Sequence, residues 1–573
     1  MSNLLGCEFL ARVVPRDIFT PEDLNEDQKM LKDSVEKFMR EEVLPRNDDI
    51  ENKKEGLMVE LLKKAGDIGV FAIEIPKEYD GLGLDKVSAL CVNEILAQQL
   101  SFAVSCEAHI TIGTHPIVFF GNEQQKKKYL PDLGWARKIS CYALTEPQAG
   151  SDALNAKTKA ELTPDGKYYI LNGSKQFITN AGFAELFIVF AKVDGKYFTA
   201  FIVEKDFGVQ TGPDEKKMGQ KGSVTNSVIL DNVKVPKENV LGEIGRGHIV
   251  ALNALNLGRM RLGGAAAGSA KYLIKEAVKY ANERVQFGKA ISNFGLIKWK
   301  IADMLSKTFA AESAAYRVTA SIDDVWLNKG YEEWKSFEEY AVEATIIKVG
   351  GTEAFWSVAD EAVQIHGGYG YLQDYAVERF YRDERVQRIY EGTNEINRLN
   401  IPDMIIKRAI KGRIDFTGWV NNSKKMLEAP SLEELKKSVS DFELHNEMFF
   451  LEVAKKILLL SAQEAFMKFG AELQDEQEIL GAISDILIGI YFGESAISRA
   501  TKNKNTPYGE HYKNMAQFYV HNYRPKIVQS LELISNRIGI GNDMPRRLSE
   551  QLKRIDLVSL SRKIADKVIN DLR

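Results

Sequence analysis

Residues 387–398 read QRIYEGTNEINR, and this stretch places one carboxylate, Glu391, directly before Gly392 and a threonine. Because glycine has no Cβ, such a turn lets the backbone approach a ligand closely. The turn also presents Glu391 from a loop, where catalytic side chains are often held. A solvated helix cap shows the same local pattern, so the meaning of this stretch depends on the segments around it.

Two further segments accompany it. Residues 141–153 read CYALTEPQAGSDA, and residues 366–371 read HGGYGY. Together and in this order, the three segments resemble the acyl-CoA dehydrogenase family of flavoenzymes. The resemblance covers roughly residues 25–412. The segment NFGLI at 293–297 and the long C-terminal region are similar to the very-long-chain branch of that family.

Bulk composition excludes several classes of protein. The 573 residues predict several domains, and 76 basic against 80 acidic residues give no sign of a nucleic-acid partner. Four scattered cysteines without a CxxC pair predict a reducing compartment, with no disulfide framework and no metal site. Apolar runs such as KILLLSAQEAF (456–466) are shorter than a membrane span. We recognise no leader at the N-terminus, which predicts a bacterial, cytoplasmic protein.

Hydrophobic periodicity divides the chain into four regions. Apolar residues at spacings of three and four predict an N-terminal helical domain (1–140). Alternating β-branched and aromatic runs such as ELFIVFAKV (185–193) predict a central antiparallel β domain (141–247). Helical spacing then predicts a bundle with the catalytic loop (248–412) and a C-terminal helical extension (413–573). The predicted class is mainly α with a central β domain, and the resemblance implies the same arrangement, with a β-barrel-like domain and a four-helix bundle.

The resemblance implies FAD as the cofactor. A flavin ring needs a flat wall and hydrogen bonds to its polar edge. Two segments supply the residues that match the family's flavin-lining positions, namely Tyr142, Leu144, Thr145, Gly150, Ser151, Phe177 and Thr179. Phe177 stands where most relatives have tryptophan, so it keeps a stacking face but lacks the indole N–H. Ordinary strand packing is the alternative for Leu144 and Phe177.

Other FAD contacts are implied to come from a second subunit. ERVQFGK (283–289) places Arg284, Gln286 and Phe287 where relatives reach across a dimer to the pyrophosphate and adenosine, and a guanidinium pairs well with phosphate. The remaining positions that match this end of FAD are Gln364, Gly367, Gly368, Thr393, Asn394 and Glu395. His366 is expected to pack or cap rather than to transfer protons. The resemblance therefore implies a homodimer.

The implied substrate is a fatty acyl-CoA. Ser151 matches a contact to the thioester and pantetheine region, and Asn256 and Arg259 match contacts to the CoA moiety. Gly392 is predicted to contact the substrate beside the catalytic carboxylate. A helix cap is the alternative for Ser151, and a structural ion pair is the alternative for Arg259.

The chemistry of such a substrate needs a base for its weakly acidic α-proton. We predict that Glu391 is this base, with its pKa raised by burial. The family stabilises the enolate through the flavin ribityl hydroxyl and the backbone N–H of this glutamate. Some relatives carry the base on the helix that here has Gly258, so no competing carboxylate occupies that position. The predicted reaction yields the trans-2-enoyl-CoA in β-oxidation, with electron-transfer flavoprotein as acceptor.

Two alternatives stay open from the sequence. An acyl-CoA oxidase would pass the electrons to oxygen, and a related protein of the very-long-chain branch serves in respiratory-complex assembly.

The C-terminal extension carries an apolar stripe, for which we predict a packing role that covers the tetramer face of shorter relatives. Its nearly balanced charge predicts only weak, peripheral membrane association. The stripe consists of Phe449, Phe450, Val453, Ile457 and Leu460.

Overall fold

The computed structural model describes residues 6–428, 430–541 and 543–572. Its first part is helical, as the apolar spacing predicts. Asn25 and Asn122 each accept a hydrogen bond from a backbone N–H three residues on, which fixes where α2 and α8 begin. The helices are α1 (Glu8–Ala11), α2 (Glu26–Phe38), α3 (Asn47–Glu51), α4 (Leu57–Asp67), α5 (Lys86–Leu96), α6 (Leu100–Glu107), α7 (His115–Phe120) and α8 (Glu123–Gly134).

A sheet domain follows, with strand order β6-β7-β3-β2-β4-β5-β8 and β1 beside β4. Its strands are β1 (Ser140–Ala143), β2 (Lys159–Leu162), β3 (Tyr168–Thr179), β4 (Leu186–Val193), β5 (Tyr197–Glu204), β6 (Gln210–Asp214), β7 (Thr225–Pro236) and β8 (Val240–Leu241). The predicted antiparallel pairing holds for β3–β7 and β4–β5. However, β1 and β2 both run parallel to β4, so the sheet is mixed. Local alternation cannot show this, because strand direction depends on long connections.

Long helices then build a bundle. They are α9 (Gly247–Glu283), α10 (Gly295–Asp323), α11 (Glu333–Glu339), α12 (Ala341–His366), α13 (Ala376–Glu384) and α14 (Asn394–Ile410), with a small hairpin of β9 (Val285–Gln286) and β10 (Lys289–Ala290) after α9. A Cβ on Gly263 of α9 would lie 3.0 Å from the Ile347 carbonyl oxygen of α12. Glycine therefore lets α9 and α12 approach closely, and these two helices support the site described below.

The C-terminal extension consists of α15 (Phe416–Met426), α16 (Ser431–Ser438), α17 (His445–Phe469), α18 (Gln477–Lys502), α19 (Gly509–Ile538), α20 (Asp543–Glu550) and α21 (Leu557–Asp571). The predicted apolar stripe lies on α17, where Phe450, Val453 and Ile457 are buried. The fold class is therefore confirmed: mainly helical, with a central sheet domain and an added C-terminal helical domain.

The extension is joined to the bundle by buried charges as well as apolar contacts. Arg317 of α10 lies 3.4 Å from Glu494 of α18, and Arg499 of α18 lies 2.6 Å from Glu312 of α10. We call this contact between α10 and α18 the seam. Helix α18 has the length and apolar composition of a membrane span, but 94% of its most apolar window is buried against protein. It has the surroundings of a core helix.

Candidate active site

A cavity of about 510 Å³ lies where the sheet domain meets α6, α9 and the loop before α14. Its size and mixed lining are those of a small-molecule site. The predicted site residues on its wall are Tyr142, Leu144, Thr145, Gly150, Ser151, Phe177, Thr179, Arg259, Glu391 and Gly392. Segments far apart in the sequence therefore meet around one space.

The backbone of the Glu391 loop is held in an unusual conformation. Glu391 has φ 57° and Gly392 has φ 80°, both in the left-handed region that non-glycine residues rarely adopt. The Glu391 carbonyl accepts hydrogen bonds from Arg259 Nε and Asn397 Nδ2, each at 3.3 Å. The Gly392 carbonyl accepts from Lys348 Nζ and Asn397 Nδ2, each at 2.8 Å. Such strain persists only where the surroundings fix it, and it is concentrated at functional sites.

The carboxylate of Glu391 has a desolvated environment. Its Oε2 is shielded from solvent and has no hydrogen-bond partner among the described residues. Burial raises the pKa of Glu391 to about 7, although the charges of Arg259 and Lys348 oppose the rise. A Cβ on Gly258 would lie 2.9 Å from Glu391 Cδ. Gly258 therefore makes room for this carboxylate.

The sheet side of the cavity is fixed by a buried ion pair. Glu146 lies 2.7 Å from Lys175, which joins the turn after β1 to β3. Burial opposes ionisation of Glu146, but hydrogen bonds from Lys175, Thr158 and the Lys157 backbone outweigh it and lower its pKa to about 2. Next to Lys175 the strand register shifts, and Phe177 adopts φ 59°, is 61% exposed and lines the cavity. Strand packing therefore does not account for Phe177.

Ser151 lies at the exposed mouth of the cavity, next to Gly150. The capping alternative is wrong here, because only a short 3₁₀ turn follows and its first flanking residue, Asp152, makes no side-chain cap hydrogen bond. A Cβ on Gly150 would meet nothing within 4 Å. This turn is therefore an open edge to which a ligand has free access.

A second group of predicted residues lies elsewhere, at the far ends of α9 and α12. From residue 258 to residue 284 along α9 the distance is about 39 Å at 1.5 Å per residue, too far for one dinucleotide to touch both. The Arg284 guanidinium lies 5.5 Å from the Tyr369 ring, so the hairpin and the turn after α12 are neighbours. The group comprises Arg284, Gln286, Phe287, Gln364, Gly367 and Gly368, all exposed.

The hairpin presents its tip to solvent. Phe287 and Gly288 both have positive φ, as a two-residue type I′ turn requires, and Phe287 is 93% exposed. Beneath it, Tyr280 stacks on His366 with ring centroids 4.2 Å apart. His366 also contacts the Ala362 carbonyl at 2.8 Å. The prediction that His366 packs is confirmed.

The three predicted adenine-side contacts at the start of α14 differ in their exposure. Asn394 is 1% exposed, accepts a hydrogen bond from Lys348 at 2.8 Å and donates one to Thr352 at 3.1 Å. The Asn394 amide therefore makes its hydrogen bonds inside the protein, and a contact from this residue to adenine stays a prediction. Thr393 accepts from the Ile396 N–H and caps α14, whereas Glu395 stays exposed.

The two residues predicted to contact CoA from α9 are also buried. Asn256 lies outside the wall of the described cavity. Arg259 lines the cavity but is buried beside Glu391, and it holds that residue's carbonyl. Its position therefore fits a structural role, through the Glu391 carbonyl rather than through the ion pair given as the alternative, and the CoA contact stays a prediction.

The structure also brings in residues that the sequence analysis missed. Glu107 lines the same cavity, and burial raises its pKa to about 7 against the hydrogen bond from Thr111. Gln387 also lines it, with a buried Oε1 that finds no partner in the described parts of the chain. One signal was available: Glu107 is the only charged residue in the apolar stretch between Glu94 and Glu123.

Comparisons with known proteins agree with this geometry. The protein-family model "Acyl-CoA dehydrogenase, N-terminal domain" matches residues 25–134, and the family model "Acyl-CoA dehydrogenase, middle domain" matches residues 141–233. Two models described as "Acyl-CoA dehydrogenase, C-terminal domain" match 245–406 and 453–545.

Individual relatives agree too. A "Probable acyl-CoA dehydrogenase" of Bacillus subtilis (strain 168) is 47% identical over 506 residues, which are 87% of this chain and 84% of that protein. The mitochondrial "Very long-chain specific acyl-CoA dehydrogenase" of Homo sapiens is 41% identical over 66% of this chain and 58% of its own length. The crystal structure of an acyl-CoA dehydrogenase complexed with FAD from Bacillus anthracis is 42% identical, with a TM-score of 0.92 over 99% of both chains.

The fold, with its cavity between a sheet domain and a helical bundle, is that of a flavoenzyme. The chain belongs to the acyl-CoA dehydrogenase family, and its relatives include the very-long-chain enzymes. FAD is its cofactor. The site fits that group, because the exposed Phe177 ring offers a flat wall and the Thr145 and Thr179 hydroxyls offer hydrogen bonds.

Proposed function

We propose that this enzyme removes hydrogen from the α and β carbons of a fatty acyl-CoA thioester to give the trans-2-enoyl-CoA. The observation that carries the proposal is Glu391, held on a strained loop with an unpartnered oxygen in a cavity and a pKa of about 7. A carboxylate with this pKa is substantially ionised at neutral pH, yet basic enough to accept a weakly acidic proton.

Each side chain then has a defined part. Glu391 accepts the α-proton, while Arg259, Lys348 and Asn397 hold its loop in place. FAD, when bound beside Phe177, supplies the acceptor for the β-hydrogen. The hydrocarbon chain would lie along the apolar wall from Leu100, Ala103, Val104, Leu262 and Ala265, which also excludes water from the reacting atoms. Ser151 and Gly392 would contact the thioester.

The proposal extends to a homodimer. Arg284 and its exposed neighbours lie too far along α9 to serve the cavity of their own chain, so they would complete the FAD site of a second subunit. Helix α18 of the extension packs on the bundle, which would leave that face unavailable for a tetramer. Light scattering should give a dimer mass, and truncation after Gly412 should cause association or precipitation. A full-length tetramer would contradict the proposed dimer.

The cellular role proposed is fatty acid β-oxidation in the bacterial cytoplasm, with electron-transfer flavoprotein as the acceptor. The four buried, free cysteines and the bacillary relatives support this setting.

Anaerobic titration with saturated acyl-CoAs from short to very long chain tests the reaction directly. We expect the flavin absorbance to bleach, most completely with chains that fill the cavity. Adding electron-transfer flavoprotein should restore the oxidised spectrum much faster than adding air. Rapid reoxidation by oxygen would instead indicate an acyl-CoA oxidase. No bleaching in FAD-replete protein with any acyl-CoA would favour an assembly protein of the same fold.

A further inference from the structure

A second cavity, of about 480 Å³, lies between α14 of the bundle and α17 and α18 of the extension. We call it the extension cavity. It is nearly as large as the active-site cavity, but its wall is formed mainly by leucine, isoleucine, phenylalanine, alanine and methionine side chains. In the described part of that wall the polar side chains are Asp415, Thr417 and Gln463. The two cavities therefore differ in chemistry rather than in size.

The extension cavity is buried at its floor and open at its rim. Leu459 and Leu487 on the floor are 3% and 1% exposed. Ile410 and Met467 at the rim are 73% and 69% exposed. Large apolar side chains that remain exposed around a concavity indicate a surface that binds something. A cavity that is buried at its floor and exposed at its rim can admit a hydrocarbon chain that enters end first.

The residues that line the extension cavity determine which kind of ligand can bind there. The lining residues run from 402 to 410 on α14, about 12 Å, and from 458 to 467 on α17, about 14 Å. A polar ligand would lose its water contacts there without gaining hydrogen bonds in return, whereas a hydrocarbon loses none. A flat protein partner would leave the concavity unfilled and forfeit its packing contacts. Asp415 at the mouth accepts a hydrogen bond from the Gly418 N–H and stays exposed to solvent, so its charge lies outside the buried apolar part of the wall.

We propose that the extension cavity binds the hydrocarbon chain of a long-chain fatty acyl molecule, with the polar end left in solvent. This inference rests on the cavity wall alone and does not depend on the proposed reaction. The same hydrocarbon chemistry is found in free fatty acids and in membrane lipids, so the test must separate these two sources.

The test uses the full-length, FAD-loaded protein and cis-parinaric acid, a fluorescent fatty acid. Ala462→Trp fills the extension cavity, and Ala462→Leu fills it more mildly in case the larger change prevents folding. Ala103→Trp is the matched control, because it fills the active-site cavity instead. We expect two binding sites in the wild type, one in each tryptophan variant, and none in the double variant. An Ala462→Trp or Ala462→Leu protein that folds, keeps its FAD and retains both sites would overturn the proposal.

Chain length sharpens the result. In the Ala103→Trp background, displacement of the probe by saturated fatty acids should tighten about fourfold for each added methylene until the slot is full. Flotation with phosphatidylcholine vesicles separates the sources. Displacement without flotation assigns the site to free fatty acyl molecules, and flotation that Ala462→Trp abolishes assigns it to membrane lipid. Affinity that does not change with chain length, or an oligomer mass that changes in Ala462→Leu, would contradict a hydrocarbon ligand.

Discussion

The loop that carries Glu391 and the hairpin that follows Arg284 hold functional side chains in opposite ways. Hydrogen bonds to two successive carbonyls fix the Glu391 loop, and its carboxylate faces an enclosed space. The hairpin is exposed along most of its length, and Phe287 at its tip is almost wholly exposed. A base must be placed before the substrate arrives, whereas a contact to a neighbour's cofactor is completed only by assembly. In the proposed homodimer, one chain would supply the catalytic base and two chains would together supply the cofactor site.

Removal of the base should have the largest effect. Glu391→Gln keeps the size of the side chain and the loop, so the variant should retain FAD and bind acyl-CoA. Its rate of flavin reduction should fall by about two to four orders of magnitude, because no positioned base remains for the α-proton. Anaerobic stopped-flow absorbance measures this rate. A rate near that of the wild type would show that another carboxylate, with Glu107 the first candidate, removes the proton.

Loss of the exposed arginine should act on FAD rather than on chemistry. Arg284→Ala should weaken FAD binding by about 10- to 100-fold, since a charge-assisted contact to phosphate is lost. Arg284→Lys should recover part of this affinity, because it keeps the charge but not the two-pronged fork. Arg12→Ala, which removes an exposed arginine that pairs with Glu8 in the described part of the chain, serves as the control. Full flavin content in Arg284→Ala at limiting FAD would show that this arginine only packs.

The space left for the carboxylate can be tested with one methyl group. In Gly258→Ala the new Cβ would lie 2.9 Å from Glu391 Cδ, so the carboxylate must move. We expect flavin reduction to slow by about tenfold, because small misplacements of reacting groups are costly. Gly481→Ala is a matched helical control, since a Cβ there meets nothing within 4 Å. Equal rates in both variants would argue against close contact between α9 and the base.

Lys348→Met should produce the smallest change, seen mainly in pH dependence. Flavin reduction needs ionised Glu391, so its rate should rise with pH through about 7. The charge of Lys348 lowers the pKa of Glu391, so its removal should raise that pKa and move the rising limb to higher pH. The loss at neutral pH should be less than about tenfold and should vanish at high pH. Lys348→Arg keeps the positive charge, so the rise of the rate with pH should return to its position in the wild type. An equal loss at every pH would indicate a purely structural role.

Much of this arrangement follows from local sequence signals. Apolar periodicity predicted the helices and most strands, and the family resemblance of three segments, rather than the turn alone, led to the prediction of Glu391 as the base. The direction in which individual side chains point was the main feature that the sequence did not predict. Asn394 lies one residue from an exposed position, yet it points inward to Lys348, and no local pattern distinguishes the two directions. The parallel pairing of β1 with β4 was also missed, because it depends on connections through other strands.

The buried charges of the seam have a consequence for how the protein is made. Arg317 and Glu494 are 177 residues apart, and Glu312 and Arg499 are 187 apart. At the rate of translation, on the order of ten seconds or more pass between synthesis of the first member of each pair and synthesis of the second. Glu312 already pairs with Lys271 of the bundle, whereas the ion-pair partner of Arg317 in the described part of the chain is Glu494 of the later helix α18, so early burial of Arg317 would be unfavourable. The face of α10 around Arg317 would therefore reach its final burial only after α18 has been synthesised.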